Sequence, residues 1–247
     1  MGQGHFVVAA ALGATVTVGA LAQRMTGIGF ALLSVPALGL LLGPQDGVAL
    51  SNCATGVVSA IGLAGTWRQV RLPAMTVLVV AAACAVPLGT ATAARLPAPV
   101  LFAFLGAAVS AVALLVLAGV RVASLRGTRG AVMAGGASGF MNAAAGVGGP
   151  ALSLYAANAD WPMAQFVPNA LFYGVVLNVF SVAANGLPAL TTGTWLVAGG
   201  GLAIGTLVGE ALTRRVPQAW VRRAVMLLSL AGGLITLVRG LWQLCKR

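Results

Sequence analysis

Acidic residues are almost absent, with three in 247 against fourteen lysines and arginines. All charged residues together make up 7% of the chain, where a soluble domain carries roughly 25%. So few charges cannot cover the surface of a water-soluble globule. The single histidine, His5, stands near the start and there is no HExxH pattern. A lone terminal histidine reads as an interface residue rather than a metal ligand or catalytic base. Three cysteines, Cys53, Cys84 and Cys245, form no CxxC and no cluster at metal-ligand spacing, and they read as buried or incidental thiols. No serine or cysteine has an evident base partner. No metal, no cofactor and no enzymatic reaction is therefore expected. Residues 5–22 lack the basic start of a cleaved signal peptide and precede further apolar runs, so they read as a retained first helix.

Apolar runs are what the chain has in abundance. Sixty per cent of residues are hydrophobic, the mean hydropathy is +1.00, and glycine numbers 34. This composition predicts an all-α polytopic membrane protein. Apolar segments fall at about 5–23, 28–43, 47–67, 74–94 and 98–120, then at 131–145, 148–158, 162–185, 193–213 and 218–240. A straight crossing needs ~20 residues. Segments 28–43, 131–145 and 148–158 fall short, which predicts broken or re-entrant helices and eight to ten membrane segments. Glycines at four-residue spacing (Gly201, Gly205 and Gly209; Gly135 and Gly139) read as helix-packing faces.

A net charge of +11 does not point to nucleic acid, because the basic residues are scattered between apolar runs without interleaved aromatics. With ten crossings starting outside, ten basic residues lie inside and only Arg95, Arg239, Lys246 and Arg247 outside. That asymmetry obeys the positive-inside rule and predicts a multi-pass protein of the bacterial inner membrane, with the lipid bilayer as its main partner and homo-oligomers open. A basic stretch, with Arg121, Arg126 and Arg129, divides the chain into a first repeat (1–120), a cytoplasmic linker (121–130) and a second repeat (131–247).

The division rests on an alignment. "QRMTGIGFALLS" (Gln23–Ser34) matches "NAAAGVGGPALS" (Asn142–Ser153) without a gap at an offset of 119, and a two-residue slip then sets Asn52 against Asn169. Five segments per half is an odd number, so the repeats are expected to be inverted, with a substrate site where the broken helices meet. "GVGGPA" also satisfies a loose dinucleotide fingerprint, but it lies inside an apolar run with no strand before it, which argues against nucleotide binding.

The carboxylates can be taken singly. Asp46 and Asp160 each precede an apolar helix and read as N-caps. Glu210 stands four residues before Arg214, at ion-pair spacing, and is the best candidate for proton coupling. The remaining polar residues cluster around the glycine motifs: Gln23, Arg24, Thr26, Ser34, Asn52 and Thr55, with Asn142, Ser153, Asn169 and Tyr173. They either tie helices together or line a cavity. The glycines Gly27, Gly29, Gly146, Gly148 and Gly149 favour a cavity, because a helix broken in lipid must turn its freed N–H groups toward protein or a wet site. A helix N-terminus there suits an anion, and Pro150 fits its first turn.

With "TGIGFALLSVP" (Thr26–Pro36) and "AGVGGPALSLY" (Ala145–Tyr155) in corresponding places, the chain resembles the sulfite exporter TauE/SafE family from about residue 8 to 240. Phe30 and Tyr155 depart from the family pattern, and each is expected to reshape the pocket. The resemblance implies a transporter of sulfur oxyanions or organosulfonates, with the motif residues around the substrate. The expectation is a secondary transporter of a small anion working by alternating access. A passive anion channel, or a carrier of a non-sulfur organic anion, is the alternative.

Overall fold

The computed structural model describes residues 2–119, 126–213, 215 and 218–246. Among them the chain forms ten α-helices and no strand: α1 (Gly2–Thr26), α2 (Phe30–Leu42), α3 (Pro44–Ala64), α4 (Leu72–Arg95), α5 (Ala98–Leu117), α6 (Gly127–Ala145), α7 (Gly149–Asn158), α8 (Met163–Asn185), α9 (Thr192–Thr213) and α10 (Gln218–Cys245). Seven of them (α1, α3, α4, α5, α8, α9 and α10) contain stretches long and apolar enough to cross a membrane. Large apolar side chains stay exposed along their outer faces, including Leu88, Leu196, Leu207 and Val238. A surface of this kind is stable in lipid and not in water. The chain is an all-helical, multi-pass membrane protein.

Helices α2 and α7 have 13 and 10 residues. At 1.5 Å per residue they reach about 20 and 15 Å, well short of a bilayer core of roughly 30 Å. The expected short segment at 131–145 is longer than its apolar pattern. Helix α6 begins at Gly127 and includes Arg129, because Gly130 and Ala131 are buried and hold a turn that hydropathy does not mark. Arg121 lies outside the described residues.

Two expected caps form differently. Helix α3 starts earlier than its apolar run, with Gly43 at the N-cap and Pro44 in the first turn. Asp46 sits inside that turn, where it accepts a hydrogen bond from the Ala189 N–H at 3.0 Å. Asp160 adopts a left-handed backbone (φ 52°) in the turn before α8, whose N-cap is Pro162.

The tightest helix pairs join the two halves of the chain: α1 with α9, α4 with α6, α3 with α8 and α5 with α10. Small residues make the first two possible. Gly201 and Gly205 of α9 press on the Gly13 and Thr17 carbonyls of α1, and Gly135 and Gly139 of α6 press on the Leu78 and Ala82 carbonyls of α4. Both predicted glycine stripes are therefore packing faces. Helices α3 and α8 cross antiparallel, with Gly56 opposite Asn178, Ser59 opposite Gly174 and Gly62 opposite Leu171. Helix boundaries also recur: the ends of α1 and α6, and the starts of α2 and α7 and of α3 and α8, are each 119 residues apart.

Candidate functional site

Both breaks are built the same way. Helix α1 ends at Thr26 and Gly27 takes a left-handed φ of 77°; α6 ends at Ala145 and Gly146 takes 68°. The Gly27 N–H donates to the Gln23 carbonyl and the Gly146 N–H to the Asn142 carbonyl, both at 2.8 Å. Glycine suits these positions because a Cβ in this region meets the following carbonyl. Two residues later the chain re-enters a helix, from Gly29 into α2 and from Gly148 into α7. No side chain caps either first turn.

The two new helix starts open on one central cavity. About 40 Å³ of it admits water-sized spheres, room for about three waters. Gln23, Gly27, Gly29, Asn142, Gly148 and Gly149 line it, as do Ile28, Val147, Thr55 and Tyr173. No lysine, arginine or carboxylate is among its lining residues. The field at the cavity therefore comes from backbone dipoles at the starts of α2 and α7 and from neutral polar groups.

The amides at the ends of α1 and α6 are already engaged. Gln23 Nε2 donates to Ser59 Oγ (2.7 Å) and the Thr55 carbonyl (3.2 Å) on α3. Asn142 Nδ2 donates to Ser181 Oγ (2.8 Å) and Asn178 Oδ1 (3.1 Å) on α8, while its Oδ1 accepts from the Gly148 N–H at 3.1 Å. Ser138 Oγ donates to the Gly148 carbonyl at 2.7 Å. These bonds fix each break to the crossing pair α3 and α8. Two hydroxyls at the cavity remain without a hydrogen bond of good geometry: Thr55 Oγ1 and the hydroxyl of Tyr173, which faces Ser138. Tyr173 is only 2% exposed and its hydroxyl is buried.

Other expected site residues lie elsewhere. Thr26 and Ser153 line a second cavity of about 120 Å³, bounded also by Trp161 and Phe166 near the start of α8. Thr26 Oγ1 is bound to the Ala22 and Ile28 carbonyls, and Ser153 Oγ donates to the Gly149 carbonyl at 3.1 Å. Ser34 is fully buried against α1, donating to the Thr15 carbonyl at 3.3 Å. Gly146 faces Val35, Val48 and Asn52. Asn52 is buried beside it, 3.5 Å from the Asn142 carbonyl, with Oδ1 unpartnered.

Asn169 accepts the Arg71 N–H at 2.9 Å and donates to the Gln165 carbonyl, a tie between α8 and the chain entering α4. The spacing of 119 sets Leu171, not Asn169, in the place that corresponds to Asn52. Glu210 pairs with Arg24, joining α9 to α1; its expected partner, Arg214, lies outside the described residues. This pair also neutralises the cation expected near the first break. Phe30 and Tyr155 do not reach the cavity: Phe30 packs over Gly19, and Tyr155 stacks edge-on against Trp161.

Ser59, Ser138, Asn178 and Ser181 escaped the sequence reading. One signal was available. Ser59 and Asn178 are 119 residues apart, as are Gln23 and Asn142, so each donor–acceptor pair repeats the other at the alignment's own offset.

A third cavity, of about 370 Å³, opens at the start of α3 between Asp46, Thr90, Ala144 and Asn185. The central cavity thus lies between one opening near the start of α3 and a smaller one near the start of α8, which the antiparallel crossing places at opposite ends of the bundle.

No curated protein and no solved structure matches the chain. The model of one family, described as sulfite exporter TauE/SafE, matches residues 11–236. With that coverage, seven membrane-length helices and a cavity built on paired backbone breaks, the chain belongs to the sulfite exporter TauE/SafE family of membrane transporters.

Proposed function

We propose that this protein carries a small sulfur oxyanion such as sulfite across the bacterial inner membrane by alternating access, with the central cavity as its binding site. The observation that carries the proposal is the meeting of two helix starts without a side-chain cap, at Gly29 and at Gly148–Gly149, on one cavity whose lining residues also include Thr55 and Tyr173, with buried hydroxyls. N–H donors and positive dipole ends suit an oxyanion, and the hydroxyls of Thr55 and Tyr173, which make no hydrogen bond of good geometry, are the nearest candidates to turn toward it. The volume suits a compact one and leaves no room for an aromatic sulfonate in this conformation. Gly148 is tightly enclosed: a Cβ there would lie 2.7 Å from Leu177 and 2.9 Å from the Ser138 carbonyl, so only glycine lets the start of α7 sit this close to α6 and α8.

The halves read as inverted repeats. The recurring boundaries support this, and so do the pairs α1 with α9 and α4 with α6, which exchange when the halves are exchanged. The positive-inside rule puts Arg68 and Arg71 in the cytoplasm and the larger opening outside. Glu210, held by Arg24 away from the cavity lining, serves in this reading as a helix tie rather than a proton relay.

Thermal unfolding of the purified protein tests the site. Sulfite, sulfate, thiosulfate and methanesulfonate are compared with acetate and an organic cation. A ligand of the folded state raises the melting temperature. A sulfur oxyanion should do so, and Tyr173→Phe should weaken its apparent affinity about tenfold, the loss of one hydrogen bond to a charged group. Stabilisation by the cation alone would overturn the proposal.

A further inference from the structure

The breaks share a feature that anion binding does not need. Each places one large apolar residue between its glycines, Ile28 between Gly27 and Gly29 and Val147 between Gly146 and Gly148. Both line the central cavity. Ile28 also lines the cavity at the start of α8, and it packs against Gly149 of the opposite break, 3.4 Å from where a Cβ would stand. Val147 is 1% exposed and belongs to the buried cluster that contains Val48 and Leu105, which line the large opening at the other end. Each break thus places one apolar side chain on the central cavity and beside the lining of one end of the bundle.

We propose that Ile28 and Val147 are the two gates of the central cavity, each shutting it toward one end of the molecule. This inference rests on the transporter reading and adds the barriers that alternating access requires. An apolar constriction blocks a hydrated anion because water and charge are both unstable in it. Each gate adjoins its own hinge, since Gly27 and Gly146 hold the left-handed backbone from which the next residue can swing. Opening the end near α8 moves Ile28 off Gly149; opening the other end moves Val147 out of its cluster.

The test reads access to the cavity and not cargo. Cys53, Cys84 and Cys245 are replaced by serine, and Thr55→Cys puts a reporter on the cavity wall. A charged, membrane-impermeant methanethiosulfonate is then applied to right-side-out and to inverted membrane vesicles. Ile28→Ala should speed labelling about tenfold from one side and Val147→Ala about tenfold from the other, a factor on the scale of the few buried carbons removed. Val147→Thr keeps the volume and wets the gate, so it should act as Val147→Ala does even where the alanine variant folds poorly. Acceleration from the same side, from both sides at once, or from neither in monodisperse protein would overturn the gates. Opposite-side acceleration in a protein that no sulfur oxyanion stabilises would keep the gates and remove the proposed cargo.

Discussion

At the residue scale the two motif glycines look interchangeable in sequence and differ in their surroundings. Gly27 and Gly146 share a left-handed backbone that costs other residues roughly 1–2 kcal/mol. A Cβ on Gly27 would meet only Val167, at 3.8 Å, whereas one on Gly146 would meet Val35 at 2.9 Å. Gly27→Ala should therefore lower the melting temperature of the purified protein slightly, and Gly146→Ala distinctly more. Equal shifts would mean that the packing around Gly146 yields freely. The glycine pattern made the breaks legible, because few other signals survive in so apolar a chain. The roles of individual amides were not legible. Asn169 has the residue type of a ligand, yet its side chain is spent on the Arg71 N–H. Tyr173 belongs to the polar set read from the sequence, but only the structure places it on the cavity lining, with its buried hydroxyl facing Ser138.

At the element scale, hydropathy located nearly every helix because a lipid-facing helix must be apolar along its length. It failed at the first turn of α6, where the exposed and polar Gly127, Thr128 and Arg129 precede the buried Gly130 and Ala131, and at Asp46, where Pro44 starts the helix before the carboxylate. Helix pairing was legible through glycine spacing. Within α9 that spacing separates two faces. Gly205 lies against the Thr17 carbonyl of α1, while Gly199 has nothing within 4 Å of a Cβ and is exposed. Gly205→Leu should force α9 away from α1 and leave little monodisperse protein on size exclusion, and Gly199→Leu should leave the yield unchanged. A tolerated Gly205→Leu would show that the α1–α9 interface does not hold the fold together.

At the scale of the whole molecule, the proposed alternating access asks for two similar barriers around one site, and halves related as proposed would supply them from one kind of motif. The breaks at Gly27 and Gly146, tied through Gln23 to Ser59 and through Asn142 to Asn178, are two versions of one device aimed from opposite ends at the crossing of α3 and α8. For this arrangement to carry an anion in a defined direction, the bundle must sit in the membrane one way round. Basic residues such as Arg68 and Arg71, in the connection between α3 and α4, supply that bias and outnumber those on the opposite side, where Lys246 follows the end of α10. Cys245, exposed at that end, is a built-in reporter. An impermeant maleimide should label Cys245 in spheroplasts, and a cysteine placed at exposed Arg68 should be labelled only in inverted vesicles. The reverse pattern would turn the molecule over, put the larger opening in the cytoplasm, and exchange the sides that Ile28 and Val147 close.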